Sequence, residues 1–88
     1  MKADHNKILR LLKTARGQID GIIKMVDDDR YCMDISQQLM AAQSVLRRAN
    51  KEVLCAHLKS CVRNVQNEEE LDTKVDELVM VIDKLLDK

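Results

Sequence analysis

Eighty-eight residues with no proline, two glycines and one aromatic, Tyr31, make a single small domain, residues 1–88, with too little bulk to bury a large core alone. Fifteen basic and fifteen acidic side chains cancel. No stretch is long and apolar enough to span a membrane and no signal peptide opens the chain, so a cytoplasmic, helical protein is expected. Three cysteines cannot all pair within one chain, which leaves free thiols, metal ligands or redox sensors.

The first predicted helix covers residues 5–27. At about 100° per residue, Ile8, Leu11, Leu12, Ala15, Ile19, Ile22, Ile23 and Val26 fall in an arc of about 120°, with Lys2, Arg10, Lys13, Arg16 and Lys24 gathered opposite. Gly17 and Gly21 share the polar side, where they can admit another helix or a phosphate backbone or are simply tolerated. "DDDR" then breaks the apolar rhythm and reads as a turn, with Asp29 the expected N-cap of the second helix.

Residues 31–64 contain no helix breaker. Ile35, Leu39, Ala42, Leu46, Ala49 and Val53 form an apolar seam on a helix about 45 to 50 Å long, too long to bury itself in so small a monomer. Asn67 restarts the pattern as a cap, with Glu70 in the capping-box position, and Leu71, Val75, Leu78, Val79, Ile82 and Leu85 supply the third apolar face. Acids crowd this last segment, from Glu68 through Asp87, against a basic front. That asymmetry is compatible with nucleic-acid binding and equally with solvated helix faces.

The chemistry-bearing residues lie on the second helix. His57 and Cys61, at i and i+4, share one face and continue its apolar seam. Cys55 points roughly the opposite way and is expected to pack as a small hydrophobe. His5 has no such partner and is expected on the surface. Cys32 shares the wheel position of Cys61 but lies about 37 Å from His57 along a straight helix. Two copies packed antiparallel would bring Cys32 of one to His57 and Cys61 of the other, twice by symmetry, crossing near Ala42, Leu46 and Ala49. Two thiolates and an imidazole form a soft site favouring Cu(I), with Zn(II) a competitor that lacks an obvious fourth ligand. The same spacing also occurs in ordinary helix packing, and the residues alone leave both possibilities open. No nucleophile–base–orienter set or phosphate loop is visible, which argues against an enzyme.

"RGQIDGI", "DRYCMDI", "QQLMAAQSVL" and "HLKSC" occur in an order and separation that resemble the copper-sensing operon repressors (the CsoR/RcnR type), over about residues 5 to 86. The resemblance implies an all-α fold with three helices per protomer. Antiparallel dimers of the long helices would form four-helix bundles and assemble as a disc-shaped homotetramer. It implies a repressor that binds double-stranded operator DNA when apo and is released by Cu(I). Cys32 of one protomer with His57 and Cys61 of another are the implied metal ligands, and Tyr31 and Glu77 the implied supporting pair.

For DNA the resemblance points to Arg16, Gln18 and Arg48, and Arg10 and Lys13 extend the basic stripe. Leu11 stands where some members carry arginine, so the pattern is shifted by one residue. Cys61 separates the chain from nickel and cobalt sensors, which resemble a site with histidine there. Lys2 and Cys61 separate it from formaldehyde sensors, and His57 favours copper over persulfide sensing. The alternative that the residues keep open is a persulfide sensor acting through Cys32–Cys61 crosslinks between protomers, with no metal. A helical dimerisation module with incidental thiols is the plainer reading.

Overall fold

A computed structural model describes residues 1–86 of the chain. Asp87, counted above in the acidic tail, lies outside the described residues. Three helices follow one another, α1 (His5–Asp27), α2 (Cys32–Asn64) and α3 (Glu68–Leu86), with no strand among the described residues. α1 and α2 form an antiparallel hairpin, and α3 touches only α2. The resulting body is long and thin, 57 × 30 × 13 Å.

Local chemistry sets each boundary. Asp4 caps α1, its Oδ1 accepting from the Asn6 and Lys7 amides at 3.0 and 3.2 Å, which satisfies donors that a helix start leaves unpaired. At the other end Arg30 N donates to Met25 O at 2.9 Å and Asp29 N to Val26 O at 3.0 Å. This is a Schellman closure, and it needs a left-handed residue one place after the cap. Asp29 supplies it at φ 53°. Asp29 therefore ends α1 and does not begin α2, contrary to the sequence expectation. The cap of α2 is Tyr31, whose side chain makes no capping bond. Asn67 behaves as expected: Oδ1 accepts from Glu70 N at 2.7 Å, while Glu70 Oε2 lies 3.4 Å from the amide of Gln66. The returning half of the capping box thus reaches one residue further back than the usual pairing.

The hairpin core is small. Its buried residues are Ile8, Ala15 and Ile22 on α1 and Ala42, Val45 and Ala49 on α2. On α1 the inward positions are Ile8, Leu11, Ala15, Gln18, Ile22 and Met25, alternating in steps of three and four, as in a heptad seam. The predicted arc therefore splits lengthwise. One edge packs on α2, while Leu12, Ile19, Ile23 and Val26 face outward. α2 splits in the same way: Ala42 and Ala49 turn inward with Val45, which the predicted seam omitted, and Leu39 and Leu46 are exposed at 47% and 42%. Small alanines let the helices approach closely, and Lys7 Nζ pins the open end by donating to Glu52 Oε1 at 3.0 Å.

The left-handed Asp29 gives the turn a specific sensitivity. A β-branched side chain is strained there and glycine is not. Asp29→Val is expected to lower stability by about 1–2 kcal/mol, whereas Asp29→Gly should match or exceed the parent. Denaturant titration at one fixed protein concentration checks both.

Candidate metal centre and nucleic-acid interface

Helical spacing places His57 and Cys61 one turn apart near the end of α2, and the structure brings their donor atoms together. Cys61 Sγ lies 3.3 Å from His57 Nε2. α3 folds back across this turn and presents Glu77, with Oε1 at 3.9 Å from the same His57 nitrogen. Lys74, one turn earlier on α3, places Nζ 3.9 Å from the other Glu77 oxygen and orients the carboxylate. Leu54, Leu58, Leu78 and Val81 line the cleft with these groups, which has a volume of about 90 Å³. The site is thus a few polar groups over an apolar floor between α2 and α3.

Cys32 and Tyr31 stand at the opposite end of α2, both exposed. Because α2 runs unbroken from Cys32 to Asn64, they stay about 37 Å or more from His57. Among the described residues of one chain, no three His, Cys, Asp or Glu side chains gather as a metal site. One protomer therefore pairs His57 with Cys61, leaves Glu77 3.9 Å from the imidazole, and holds Cys32 and Tyr31 far from all three. Lys74 is the member of the cluster that sequence reasoning missed; its i, i+3 spacing to Glu77 was the available signal.

The donor set fits a soft ion. At zinc-like bond lengths of about 2.3 Å to sulfur and about 2.0 Å to nitrogen, two atoms 3.3 Å apart can reach the same metal. Cys55 does not take part. It was expected to be packed, and in the single chain it is exposed, lining a broad apolar groove with Leu54, Leu58, Leu78, Ile82 and Leu85. Its wheel position, away from the His57–Cys61 face and toward α3's flank, accounts for this. His5 is exposed at the first position of α1, as expected.

The residues expected at DNA divide into two groups. Arg10 and Lys13 border one shallow concavity with Asn6, Leu9 and Thr14, and Arg16 and Arg48 are exposed. Gln18 is set apart from them. It occupies an inward heptad position facing α2, and its Oε1 is buried with no hydrogen-bond partner. Gly17 and Gly21 look onto open space, since a Cβ at either would meet nothing within 4 Å in the chain.

Comparison with known proteins places this geometry in context. Residues 4–84 match the family described as metal-sensitive transcriptional repressor. The copper-sensing transcriptional repressor CsoR of Mycobacterium ulcerans is 45% identical over 71 residues, 81% of this chain and 61% of that protein. That of Bacillus subtilis is 32% identical over 81 residues, 92% of this chain and 80% of that protein. The chain spans 61% to 66% of the length of the mycobacterial CsoR relatives. The crystal structure of the copper-sensing repressor CsoR with Cu(I) from Geobacillus thermodenitrificans superposes with a TM-score of 0.81 at 35% identity, covering 93% of this chain and 85% of that one.

The contacts around Glu77 are solvent-exposed, with His57 and Glu77 side chains 51% and 55% accessible, and add little to stability. Glu77→Ala should change unfolding free energy by less than about 1 kcal/mol in the metal-free protein. Thermal and urea denaturation measure this; a larger loss would make Glu77 a structural residue.

Proposed function

The chain belongs to the metal-sensitive transcriptional repressor family, and on that premise we propose that it is a Cu(I)-responsive repressor of duplex DNA whose sensing site is shared between protomers. The supporting observation is the 3.3 Å approach of His57 Nε2 and Cys61 Sγ on a helix that holds Cys32 out of reach at its other end. Two-thirds of a trigonal donor set is preformed in each chain, and the missing thiolate is available from a second copy.

The exposed apolar edge supplies the reason for that second copy. Leu39 and Leu46 lie on the outward edge of α2, and Cys32, His57 and Cys61 continue that edge at its two ends. Covering it with an antiparallel copy buries Leu39, Leu46, Ile19, Ile23 and Val26. Each of these side chains is already about half buried, so covering it contributes roughly half of the 1.5–3 kcal/mol that full burial gives. The same register sets Cys32 of one copy beside His57 and Cys61 of the other. Two such dimers assembling as a homotetramer complete the particle, with α3 and its exposed Val75, Val79 and Met80 available for further contact.

In this site Cys32, His57 and Cys61 hold Cu(I), and Tyr31 enters beside Glu77 from the second copy. When bound, the ion supplies a soft, low-coordinate crosslink between two protomers. His57 then couples that crosslink to α3. Its Nε2 faces both Cys61 and Glu77, and one nitrogen cannot serve both. Ligation through Nε2 gives up the Glu77 contact. Ligation through Nδ1 would need the ring to turn away from its present Nε2 approach to Cys61 and would leave Nε2–H to donate to Glu77, the kind of outer partner that fixes a ligating imidazole. Either way the α2–α3 contact differs between apo and loaded protein, which is the differential interaction that release from DNA requires.

Arg10, Lys13, Arg16 and Arg48 meet the phosphate backbone, as exposed cations can. Gln18, half-buried beside Arg16, is the uncharged member of the same proposed surface. A persulfide sensor would need only Cys32 and Cys61; the imidazole placed against the Cys61 sulfur favours metal.

Two results are expected. In a competition assay on reduced protein, Cys61→Ala and Cys32→Ala should each weaken Cu(I) binding by orders of magnitude, and an affinity unchanged in either variant would sink the assignment. Glu77→Ala should keep most Cu(I) affinity while shrinking the drop in duplex affinity on loading, a drop expected to be roughly 5- to 150-fold in the parent. Fluorescence anisotropy with and without Cu(I) reads that ratio.

A further inference from the structure

The last turns of α2 carry more than metal donors. Lys59 and Arg63 lie round the helix from the His57–Cys61 face, and with Ser60, Asn64, Ala56 and Lys2 they line an open concavity of about 380 Å³. The lining holds three cations, a hydroxyl and a carboxamide, and no carboxylate. Asn64 Nδ2 donates to Ser60 O at 2.9 Å and lies 3.4 Å from Ser60 Oγ, so the Ser60 hydroxyl proton is directed elsewhere. Among the described residues neither Lys2, Lys59 nor Arg63 forms an ion pair. A patch of donors with no acceptor charge suits a phosphate oxygen.

Its position selects the kind of polyanion. Lys59 follows Arg48 by eleven residues, close to three helical turns, so both fall on nearly the same line along α2, about 17 Å apart. A ridge of cations spaced along a rigid helix matches an extended backbone better than an isolated phosphate. There is no aromatic side chain in the lining on which unpaired bases could stack.

We propose that this concavity is a phosphate-binding arm of the duplex interface, in which Lys2, Lys59 and Arg63 grip the DNA backbone beyond the reach of Arg10, Lys13, Arg16 and Arg48. The proposal rests on the repressor reading and deepens it. It places phosphate contacts and metal donors on opposite sides of the same two helical turns. Any movement of those turns when His57 and Cys61 change partners shifts the phosphate contacts directly, without a relay through the hairpin core.

The test uses the full chain carrying Lys59→Gln and Arg63→Gln together. The probes are a duplex taken from upstream of the protein's own gene and a scrambled duplex of equal length, each titrated over a range of salt. The double variant should bind both duplexes more weakly. Its plot of log affinity against log salt should be shallower by about two for each protomer engaged. Helicity by circular dichroism should be unchanged, and Lys59→Arg with Arg63→Lys should restore the slope. Parental affinity and slope in the double variant would overturn the proposal, as would weaker binding at an unchanged slope, which reports a structural defect. If the parent protein binds neither duplex, the repressor reading itself fails; if the parent binds and the variant matches it, only this inference does.

Discussion

An unbroken helix dictates everything else in this molecule. α2 runs 33 residues from Cys32 to Asn64 without a proline or glycine, and its rise of about 1.5 Å per residue fixes its ends roughly 50 Å apart. No side-chain flexibility closes that distance. The thiol that opens the helix and the imidazole and thiol near its end are therefore permanently separated in one chain, and can cooperate only across two. A shorter or broken helix would permit a self-contained site in each chain. This one, on the shared-site reading, makes a complete metal site depend on prior assembly.

The packing follows the same logic. The hairpin buries Ile8, Ala15, Ile22, Ala42, Val45 and Ala49, a core made largely of small side chains. It leaves Leu39, Leu46, Ile23 and Val26 in solvent. A chain this small gains little from so narrow a core, and oligomerisation is one of the standard ways to supplement it. α3 is held lightly: its cap at Asn67 sets where it starts, and Leu78 and Val81 face Leu54 and Leu58 across a cleft that also holds the exposed Glu77–His57 contact. An element held so lightly beside His57 is suited to shift when that histidine changes partners.

Much of this was legible in the sequence because helices announce themselves by period. The span of α1, the uninterrupted α2 and the Asn67 start of α3 follow from apolar spacing and capping chemistry. The same holds for the shared face of His57 and Cys61. What period cannot resolve is which edge of a wide apolar arc packs first. The arc on α1 and the seam on α2 each divided, and Val45 entered the core in place of Leu39 and Leu46 because it shares the α1-facing line of α2 with Ala42 and Ala49. Asp29 misled for a different reason: an aspartate before a helix looks like an N-cap, but the preceding helix claimed it for its left-handed closure. Cys55 was expected inside and lies at the edge of a groove, since a helix only half covered by its own chain buries only part of its circumference. Gln18, named from resemblance as a DNA contact, faces inward with its carbonyl unpaired, a placement that a motif cannot convey.

The central claim is that each metal site draws Cys32 from one protomer and His57 with Cys61 from another. Complementation between two inactive variants tests it most directly. Cys32→Ala and Cys61→Ala chains, differently tagged and co-expressed, are purified as mixed oligomers and titrated with Cu(I) under reducing conditions. Sharing predicts that each variant alone lacks the tight site, while each mixed dimer regains one, built from Cys32 of the second variant and His57 with Cys61 of the first. Recovery of no tight binding in the mixed dimers, or retention of full binding by either variant alone, would contradict it.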